Sequence, residues 1–463
     1  MLNYIWLGLM ALAVLIGGFT GRIGDVNDAA IDYANTAVLM TKDGKPGIAF
    51  GLIAIMTLWL GLMRLADKAG LVHRLGLALK PIMIWLFPEV PPDHPAMGAM
   101  IMNVAANILG LNNAATPLGL RAMSELETLN QRPGVATNAM CMLLAINTSS
   151  ITLIPVTVIG LLTLYHGKNP TAIIGTSLAA TAIAHIAAIG ACKLLERSPW
   201  SRLPPLDENS AAVLTPGKVD SSNLEASKGK DVEQKAEQSD KTLPWVPGSR
   251  WILSGVAGLF LAMWLATAFP ELIGLSPSLV EAPNSYPHRL VDALSLLAIP
   301  WLILFFPLYA TLRRIPVYEE FVEGGKEGFQ VVLRILPYIV GMLVAIGMFR
   351  AAGGLDIIKW ILHPLTDLLH FPAELVPLAV IRPFSGTAAY ALLADMVKTN
   401  GPDSLITLTG ATFYGCSETT FYVIAVYFGS VGIRKTRHAI PAGLVADFVG
   451  PIASVIICRA VFG

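Results

Sequence analysis

The chain has 463 residues, of which 54% are hydrophobic and only 14% are charged, whereas soluble domains usually carry about 25% charged residues. Its 32 basic and 32 acidic residues cancel, which excludes the basic footprint of a nucleic-acid-binding protein. Several stretches approach the length of about 20 apolar residues that a helix needs to cross a bilayer. The composition therefore predicts an all-α polytopic membrane protein.

The predicted spans fall into two groups of four. In chain order they are 2–20, 47–66, 135–165 and 170–194, then 294–312, 330–349, 406–430 and 439–461. Between the second and third span of each group lies a region, 67–134 or 351–405, in which Pro, Gly and Asn interrupt apolar pieces. From the residues alone, 67–86 and 355–370 either enter the bilayer or lie flat on it.

Short motifs recur in the same order in both groups, which indicates an internal repeat. The pairs are "GLMRLADKAG" (61–70) with "GMFRAAGG" (347–354), "KPIMIWLFPEVP" (80–91) with "HPLTDLLHFPAEL" (363–375), and "NTSSITLIPVTVIG" (147–160) with "SETTFYVIAVYFGS" (417–430). The chain is therefore predicted to hold two homologous halves, 1–198 and 288–463.

The residues between the halves differ in character from both of them. The stretch 199–250 is rich in Ser, Lys, Glu and Pro around 202–244, which predicts a disordered cytoplasmic linker. An unrepeated apolar segment, 251–269, follows it and predicts one extra transmembrane span.

The basic residues predict how the halves are oriented. Arg313-Arg314 and "RKTR" (434–437) lie in short loops, which favours the cytoplasm for both. If each half crosses the membrane an even number of times, the single extra span gives the second half an inverted orientation in the membrane relative to the first. The sequence therefore predicts inverted repeats with broken or re-entrant helices, as in many secondary transporters.

Polar residues interrupt the apolar region at corresponding places in the two halves. In "NVAANILGLNNAATPLGL" (103–120) the helix is predicted to break near 112–117, and "IRPFSGTAAYALL" (381–393) carries a second breaker. Corresponding interruptions point to a binding site, although small and polar residues also mediate helix packing. The candidate solute-binding residues are Asn103, Asn107, Asn112, Asn113, Thr116, Asn147, Thr148, Ser149, Ser150, Arg382, Ser385, Gly386, Thr387, Ser417, Thr419 and Thr420.

Glu418 is the candidate residue for binding a coupling ion or a proton. It is aligned with Thr148, so one half has a carboxylate where the other has a hydroxyl. Charged side chains within spans usually face the bundle interior, which predicts that Glu418 is buried. Arg382 is a candidate partner for it, and the alternative is a solvated Glu418 at the end of a span. His185 is a lesser candidate.

Longer motifs resemble two known families. "FPEVPPDHPAMG" (87–98) and "NILGLNNAATPLGLRAMSELETLN" (107–130) resemble spore maturation protein A, whereas "RPFSGTAA" (382–389) and "GCSETTFYVIAVYFGS" (415–430) resemble spore maturation protein B. Both families carry the Gate, or nucleoside-recognition, domain that is shared with concentrative nucleoside transporters and with the membrane part of ferrous iron transporters. The resemblance implies a transport-like membrane fold and names no substrate.

Two hypotheses follow for the function. The first is a secondary transporter or permease of the bacterial inner membrane, and the alternative is a non-transporting scaffold or sensor whose polar clusters lock helices together. An enzyme is not expected, because no nucleophile–base set or metal-ligand spacing is visible. The expected partners are the lipid bilayer, a small polar solute, and a coupling cation or proton. A homo-oligomer stands as an open alternative, and no nucleic acid, cofactor or metal is expected.

Overall fold

The computed structural model describes residues 2–38, 48–201, 245–269, 286–354, 356–357, 360–361, 366 and 370–463. Within these ranges the named elements are all helices, and one isolated parallel bridge pairs Val135 with Lys435. The protein is all-α, as its composition predicts. The polar stretch 202–244 and most of 355–370 lie outside the described residues.

Helices of uneven length make up the first half. They are α1 (Leu2–Phe19), α2 (Ile23–Val38), α3 (Ile48–Lys68), α4 (Leu71–Leu86), α5 (Pro95–Ile108), α6 (Asn112–Thr128), α7 (Asn138–Thr148), α8 (Val156–Leu164) and α9 (Ile173–Glu196). A single 3-10 turn, Pro199–Ser201, follows α9.

One long helix, α10 (Ser249–Ala268), precedes the second half and packs against α11. The second-half helices are α11 (Tyr286–Leu312), α12 (Val317–Ala351), α13 (Val376–Ile381), α14 (Gly386–Asn400), α15 (Leu405–Cys416), α16 (Thr420–Ser430) and α17 (Ala439–Phe462). In the described part of the chain, five helices are long and apolar enough to cross a membrane, namely α3, α9, α10, α12 and α17.

Two sequence-predicted spans are broken rather than continuous. The stretch 135–165 holds α7 and α8 with a gap at 149–155, and 406–430 holds α15 and α16 with a gap at 417–419. Pro155 directly precedes α8, and Ser417 has an extended backbone at the end of α15. Ser and Thr hydroxyls compete for the hydrogen bonds of a helix, so these polar runs end one helix and allow the next to begin. Averaged over the length of a span, both stretches remain apolar, so mean hydropathy does not show the breaks.

The predicted break near 112–117 lies earlier than expected. The chain turns between Ile108 and Asn112, and Gly110 has a φ of 76°, a left-handed conformation that glycine adopts without strain. Thr116 and Pro117 lie inside α6. In the second half the turn is where the sequence predicts it, because α13 ends at Ile381 and Ser385 caps α14 by accepting a bond from the Ala388 N–H at 3.1 Å.

Helices α3 and α12 cross at very short range. A Cβ added at Gly328 would lie 2.5 Å from the carbonyl oxygen of Met56, and one added at Gly324 would lie 2.5 Å from that of Leu60. Close backbone approach through glycine is a usual way for membrane helices to associate. Arg64 near the end of α3 is also paired with Glu320 at the start of α12, at 2.7 Å. The two helices are therefore antiparallel.

The broken helix pairs are also antiparallel. At one end of the molecule, the Arg434 N–H before α17 donates to the carbonyl oxygen of Gly134 before α7, at 2.9 Å. At the other end, the Lys168 N–H after α8 donates to the carboxylate of Asp403 before α15, at 2.8 Å. The start of α7–α8 thus lies beside the end of α15–α16, and the end of α7–α8 lies beside the start of α15.

Candidate functional site

The two helix breaks meet near the centre of the molecule. We call residues 149–155 the first break and residues 417–419 the second break. The backbone N–H of Glu418 donates to the carbonyl oxygen of Thr148, the last residue of α7, at 2.8 Å. A main-chain hydrogen bond thus joins the two halves at the point where both helices are interrupted.

In each half the turn is also bonded to the break or to the first turn of the helix that follows the break. In the first half, the Leu153 N–H donates to the carbonyl oxygen of Ile108 at 2.9 Å. In the second half, the Phe421 N–H donates to the carbonyl oxygen of Pro383 at 3.0 Å. Free backbone groups at membrane depth need such partners, so the turns and the breaks stabilise one another.

Arg382 fixes the second break. Its guanidinium donates to the carbonyl oxygens of Ser417 and Tyr414 and to the hydroxyl of Thr419, and it lies 4.3 Å from the centre of the Tyr414 ring. The Arg382 Nη2 to Glu418 Oε2 distance is 3.9 Å, a loose ion pair. Arg382 is 3% exposed, so its main contacts position the backbone at the end of α15.

Gly386 lies against the same guanidinium. A Cβ added at Gly386 would lie 3.2 Å from Nη1 of Arg382 and 3.0 Å from the Thr419 hydroxyl. Tyr414 donates its hydroxyl to the Gly386 carbonyl oxygen at 3.2 Å. Ser385 and Thr387 have their hydroxyl oxygens 3.2 Å apart. The candidates at the second turn and the second break therefore form one cluster.

The first-half asparagines form an amide network. Asn147 donates to Asn103 Oδ1 at 2.9 Å and accepts from Asn107 at 2.8 Å. Tyr427 of α16 donates its hydroxyl to Asn147 Oδ1 at 3.2 Å, so the network crosses between the halves. Asn103 also donates to the Ala115 carbonyl oxygen at 2.8 Å. These amides are bonded to protein, as helix packing requires.

The remaining candidates have separate surroundings. Ser149 donates to the Ala145 carbonyl oxygen and lies 2.9 Å from Nδ1 of His185, which gives that histidine a partner. Ser150 is buried within the first break. Thr116 lies inside α6, away from the turn. The side chains of Asn112 and Asn113 lie outside the described residues.

Glu418 is not buried as the sequence predicts. Its side chain is 40% exposed, whereas Ser417, Thr419 and Thr420 around it are buried. The reason is geometric, because the backbone of 417–419 is extended and carries the Glu418 side chain away from the interior. Its N–H, rather than its carboxylate, makes the contact with the first half.

Sequence reasoning missed Asp447, a carboxylate within α17. Asp447 is 8% exposed and accepts a hydrogen bond from the Thr420 hydroxyl at 2.6 Å. It stands alone in the apolar run "GLVADFVGPIA" (443–453), where the rule that charged residues within spans mark functional sites could have found it. Asp447 lies outside every motif that the two halves share.

Comparison with known proteins identifies the family. A family model described as "Nucleoside recognition", the Gate model, matches residues 49–164 and 332–434. The chain is 48% identical over 175 residues to spore maturation protein B of Bacillus subtilis (strain 168), which covers 38% of this chain and 98% of that protein. It is also 42% identical over 189 residues to spore maturation protein A of the same organism, which covers 41% of this chain and 92% of that protein. The chain belongs to the spore maturation protein A and B family.

The two Gate matches each contain one turn and one break. The first match includes α5 to α8 and the second includes α13 to α16, so the joined breaks are a feature of both Gate regions. Asp447 lies beyond the second match. The resemblance that the motifs indicate is confirmed, and the membrane character of the family agrees with the apolar helices.

A cavity of about 570 Å³ lies away from the breaks. It is lined by residues at the start of α15, at the end of α17 and before α13, among them Thr409, His370 and Arg459. None of the candidate site residues lines it. In the described part of the chain, no group of three or more His, Cys, Asp or Glu side chains is placed to hold a metal ion.

Proposed function

We propose that this protein is a secondary transporter or permease for a small polar solute in the bacterial inner membrane, with its site where the two breaks meet. The observation that carries the proposal is the bond between the Glu418 N–H and the Thr148 carbonyl oxygen, which joins two interrupted helices of opposite halves. Interrupted helices at the interface of repeats are the usual location of solute and ion sites in secondary transporters.

The antiparallel placement of corresponding helices supports an inverted repeat. Helices α3 and α12 are antiparallel, and so are the broken pairs α7–α8 and α15–α16. Halves that are inverted relative to each other can exchange conformations, which is the basis of alternating access. The basic loop at 434–437 favours the cytoplasm for the end that contains Gly134.

The groups available to a solute are hydroxyls, backbone and one carboxylate. Glu418 is accessible and could accept hydrogen bonds from a solute, and Thr387 is partly exposed beside Ser385. Arg382 is occupied by carbonyl oxygens, so it contributes little to binding an anion. These groups favour a neutral or cationic polar solute. No covalent step is proposed.

The words "Nucleoside recognition" describe the Gate model, and "spore maturation" describes the two relatives. Neither phrase assigns a cargo to this chain. We therefore propose the solute class from the site alone.

A non-transporting scaffold or sensor is the second candidate function. The amide network of Asn103, Asn107 and Asn147 favours it, because these side chains are bonded to each other and to Tyr427. A scaffold would use the polar clusters to lock the helices and would bind no solute at the breaks.

A thermal-shift screen of the purified protein tests the two functions. The panel holds nucleosides, nucleobases, amino acids, polyamines and dicarboxylates at constant salt and pH. A solute present at 100 times its Kd stabilises the folded protein by about 2.7 kcal/mol, so a transporter shows a raised melting temperature. Glu418→Gln should weaken that shift, because it removes the accessible carboxylate and keeps the backbone bond.

Thr267→Val on α10 is the control, since in the described part of the chain that hydroxyl donates to the Met263 carbonyl oxygen of its own helix and to no other group. It should leave the shift unchanged. Solute exchange in proteoliposomes then checks transport for each compound that binds. If no compound raises the melting temperature and none is exchanged, the transporter hypothesis is contradicted and the scaffold hypothesis remains.

A further inference from the structure

Three buried oxygens without hydrogen-bond partners surround the two breaks. In the part of the chain that the structure describes, these are Oδ1 of Asp447, Oγ1 of Thr148 and Oγ of Ser417. Burying a polar atom without a partner is costly, and the cost is greatest for a charged group. A bound ligand or a buried water supplies the partners that such atoms lack.

One face of α17 brings these atoms together. Gly443, Asp447 and Gly450 follow one another at helical spacing and share that face. A Cβ added at Gly443 would lie 3.5 Å from the Thr148 hydroxyl oxygen and 2.9 Å from Cγ2 of Thr420. The missing side chain at Gly443 therefore allows both breaks to approach α17 one turn before Asp447.

The next turn of α17 contacts the end of α15. A Cβ added at Gly450 would lie 3.0 Å from the sulfur of Cys416, the residue before Ser417. Along α17, Asp447 thus lies between Gly443, which is beside Thr148 and Thr420, and Gly450, which is beside Cys416 and hence close to Ser417. Its Oδ2 accepts from the Thr420 hydroxyl at 2.6 Å, which directs the carboxylate toward the breaks.

The charges around Asp447 favour a positive ligand. Helices α7 and α15 both end here, at Thr148 and Cys416, and helix C-termini carry partial negative charge. The charge of Arg382 acts on Asp447, but Asp447 forms no ion pair among the described residues. The guanidinium instead donates to the carbonyl oxygens of Tyr414 and Ser417, and only its Nε is without a described partner. Among the described residues, the thiol of Cys416 in α15 lies near Asp447, and His185 of α9 bonds to Ser149 of the first break.

We propose that Asp447, together with the hydroxyls of Thr148, Thr420 and Ser417, forms a binding site for a monovalent cation. Carboxylate and hydroxyl oxygens are hard ligands that suit Na⁺, and the same carboxylate binds a proton. Unwound backbone and half-helix C-terminal ends hold Na⁺ or H⁺ in other transporter architectures. The site replaces Glu418 as the cation site, because the Glu418 side chain is 40% exposed and Asp447 is enclosed.

The test measures cation binding to the detergent-purified protein without any organic solute. Radioactive Na⁺ binding and the melting temperature are followed as Na⁺ replaces choline at constant ionic strength and pH. Wild type should show saturable Na⁺ binding. Asp447→Asn, which keeps an oxygen for the Thr420 hydroxyl, should weaken it at least tenfold, and Thr148→Val should weaken it several-fold.

Asp395→Asn is the matched control. Asp395 is 1% exposed, but it is held by Arg350 at 2.6 Å and by the Tyr33 hydroxyl at 2.6 Å, so its loss should reduce stability and leave Na⁺ affinity unchanged. A second arm varies pH without Na⁺. If the proton is the ligand, wild type shows a pH-dependent melting temperature that Asp447→Asn abolishes, and Na⁺ has no effect.

The outcomes are separable. If Asp447→Asn does not fold, Thr148→Val carries the comparison, because it removes one oxygen and keeps the side-chain shape. The proposal is overturned if wild type binds no Na⁺ and its melting temperature depends on pH in the same way as that of these variants. Cation binding is measured without transport, so the site stands or falls independently of the solute screen.

Discussion

Asn147 carries the densest set of side-chain hydrogen bonds near the breaks. Its amide donates to Asn103 and to the Leu143 carbonyl oxygen, and its oxygen accepts from Asn107 and Tyr427. An unpartnered buried amide or hydroxyl costs more than the net gain of one hydrogen bond. The position of Asn147 therefore matters for stability as well as for contact between the halves.

Asn147→Leu should lower the free energy of unfolding by about 1–3 kcal/mol, because polar atoms of its three side-chain partners lose a hydrogen bond while they remain buried. Tyr427→Phe removes the hydroxyl that donates to Asn147 at 3.2 Å and accepts from Asn103 at 3.3 Å, and it should cost about 1 kcal/mol because both bonds are long. Melting temperatures in one detergent give the order of the two losses. Equal stability of Asn147→Leu and wild type would contradict the network.

Helices α3 and α12 depend on glycine at their crossing. Cβ atoms at Gly324 and Gly328 would overlap the backbone of α3, and one at Gly61 would lie 2.7 Å from the Phe321 ring. Each helix therefore presents backbone to the other, and dispersion contacts hold them. This crossing joins a first-half span to a second-half span.

Gly328→Ala should force α3 and α12 apart and destabilise the protein by about 1–3 kcal/mol, as overpacking usually does. Gly258→Ala on α10 is the same substitution at a position with nothing within 4 Å, so it should be neutral or slightly stabilising. Denaturation followed by tryptophan fluorescence compares them. A Gly328→Ala protein as stable as Gly258→Ala would show that the crossing tolerates a wider spacing.

The elements differ in how well the sequence predicts them. The sequence predicts the turn at 382–385 because Pro383 and Gly386 are strong breakers, and matched pairs such as Arg64 with Arg350 indicate the repeat. It does not predict the second break, since "CSETTF" (416–421) holds no Pro or Gly within an apolar stretch. The burial of Asp447 and the exposure of Glu418 depend on tertiary packing, which hydropathy does not report.

Side chains from both halves pack together in the same hydrophobic core. One hydrophobic cluster includes Leu52 of α3, Ile159 of α8, Ile346 of α12 and Phe413 of α15. Asp395 of α14 also binds Tyr33 of α2, which places an ion-paired carboxylate between the halves. The described residues of both halves therefore share this core.

The proposed inversion is tested by labelling equivalent positions in the two halves. Lys168 follows α8 and Lys435 follows α16, and both are exposed. Lys435→Cys should react with a membrane-impermeant maleimide only from the cytoplasm, and Lys168→Cys only from the opposite side, because the broken pairs are antiparallel. The native cysteines are buried, so the unsubstituted chain is the background control. Labelling of both positions from one side would contradict the inversion.

The bond between the Glu418 N–H and the Thr148 carbonyl oxygen uses atoms that nearly every amino acid carries. Replacement of either side chain leaves the bond intact, and only proline at 418 would remove its donor. The two equivalent positions can thus carry a hydroxyl in one half and a carboxylate in the other while the bond is kept. The backbone bond between the two breaks therefore permits different side chains at positions 148 and 418 while the arrangement of the helices stays the same.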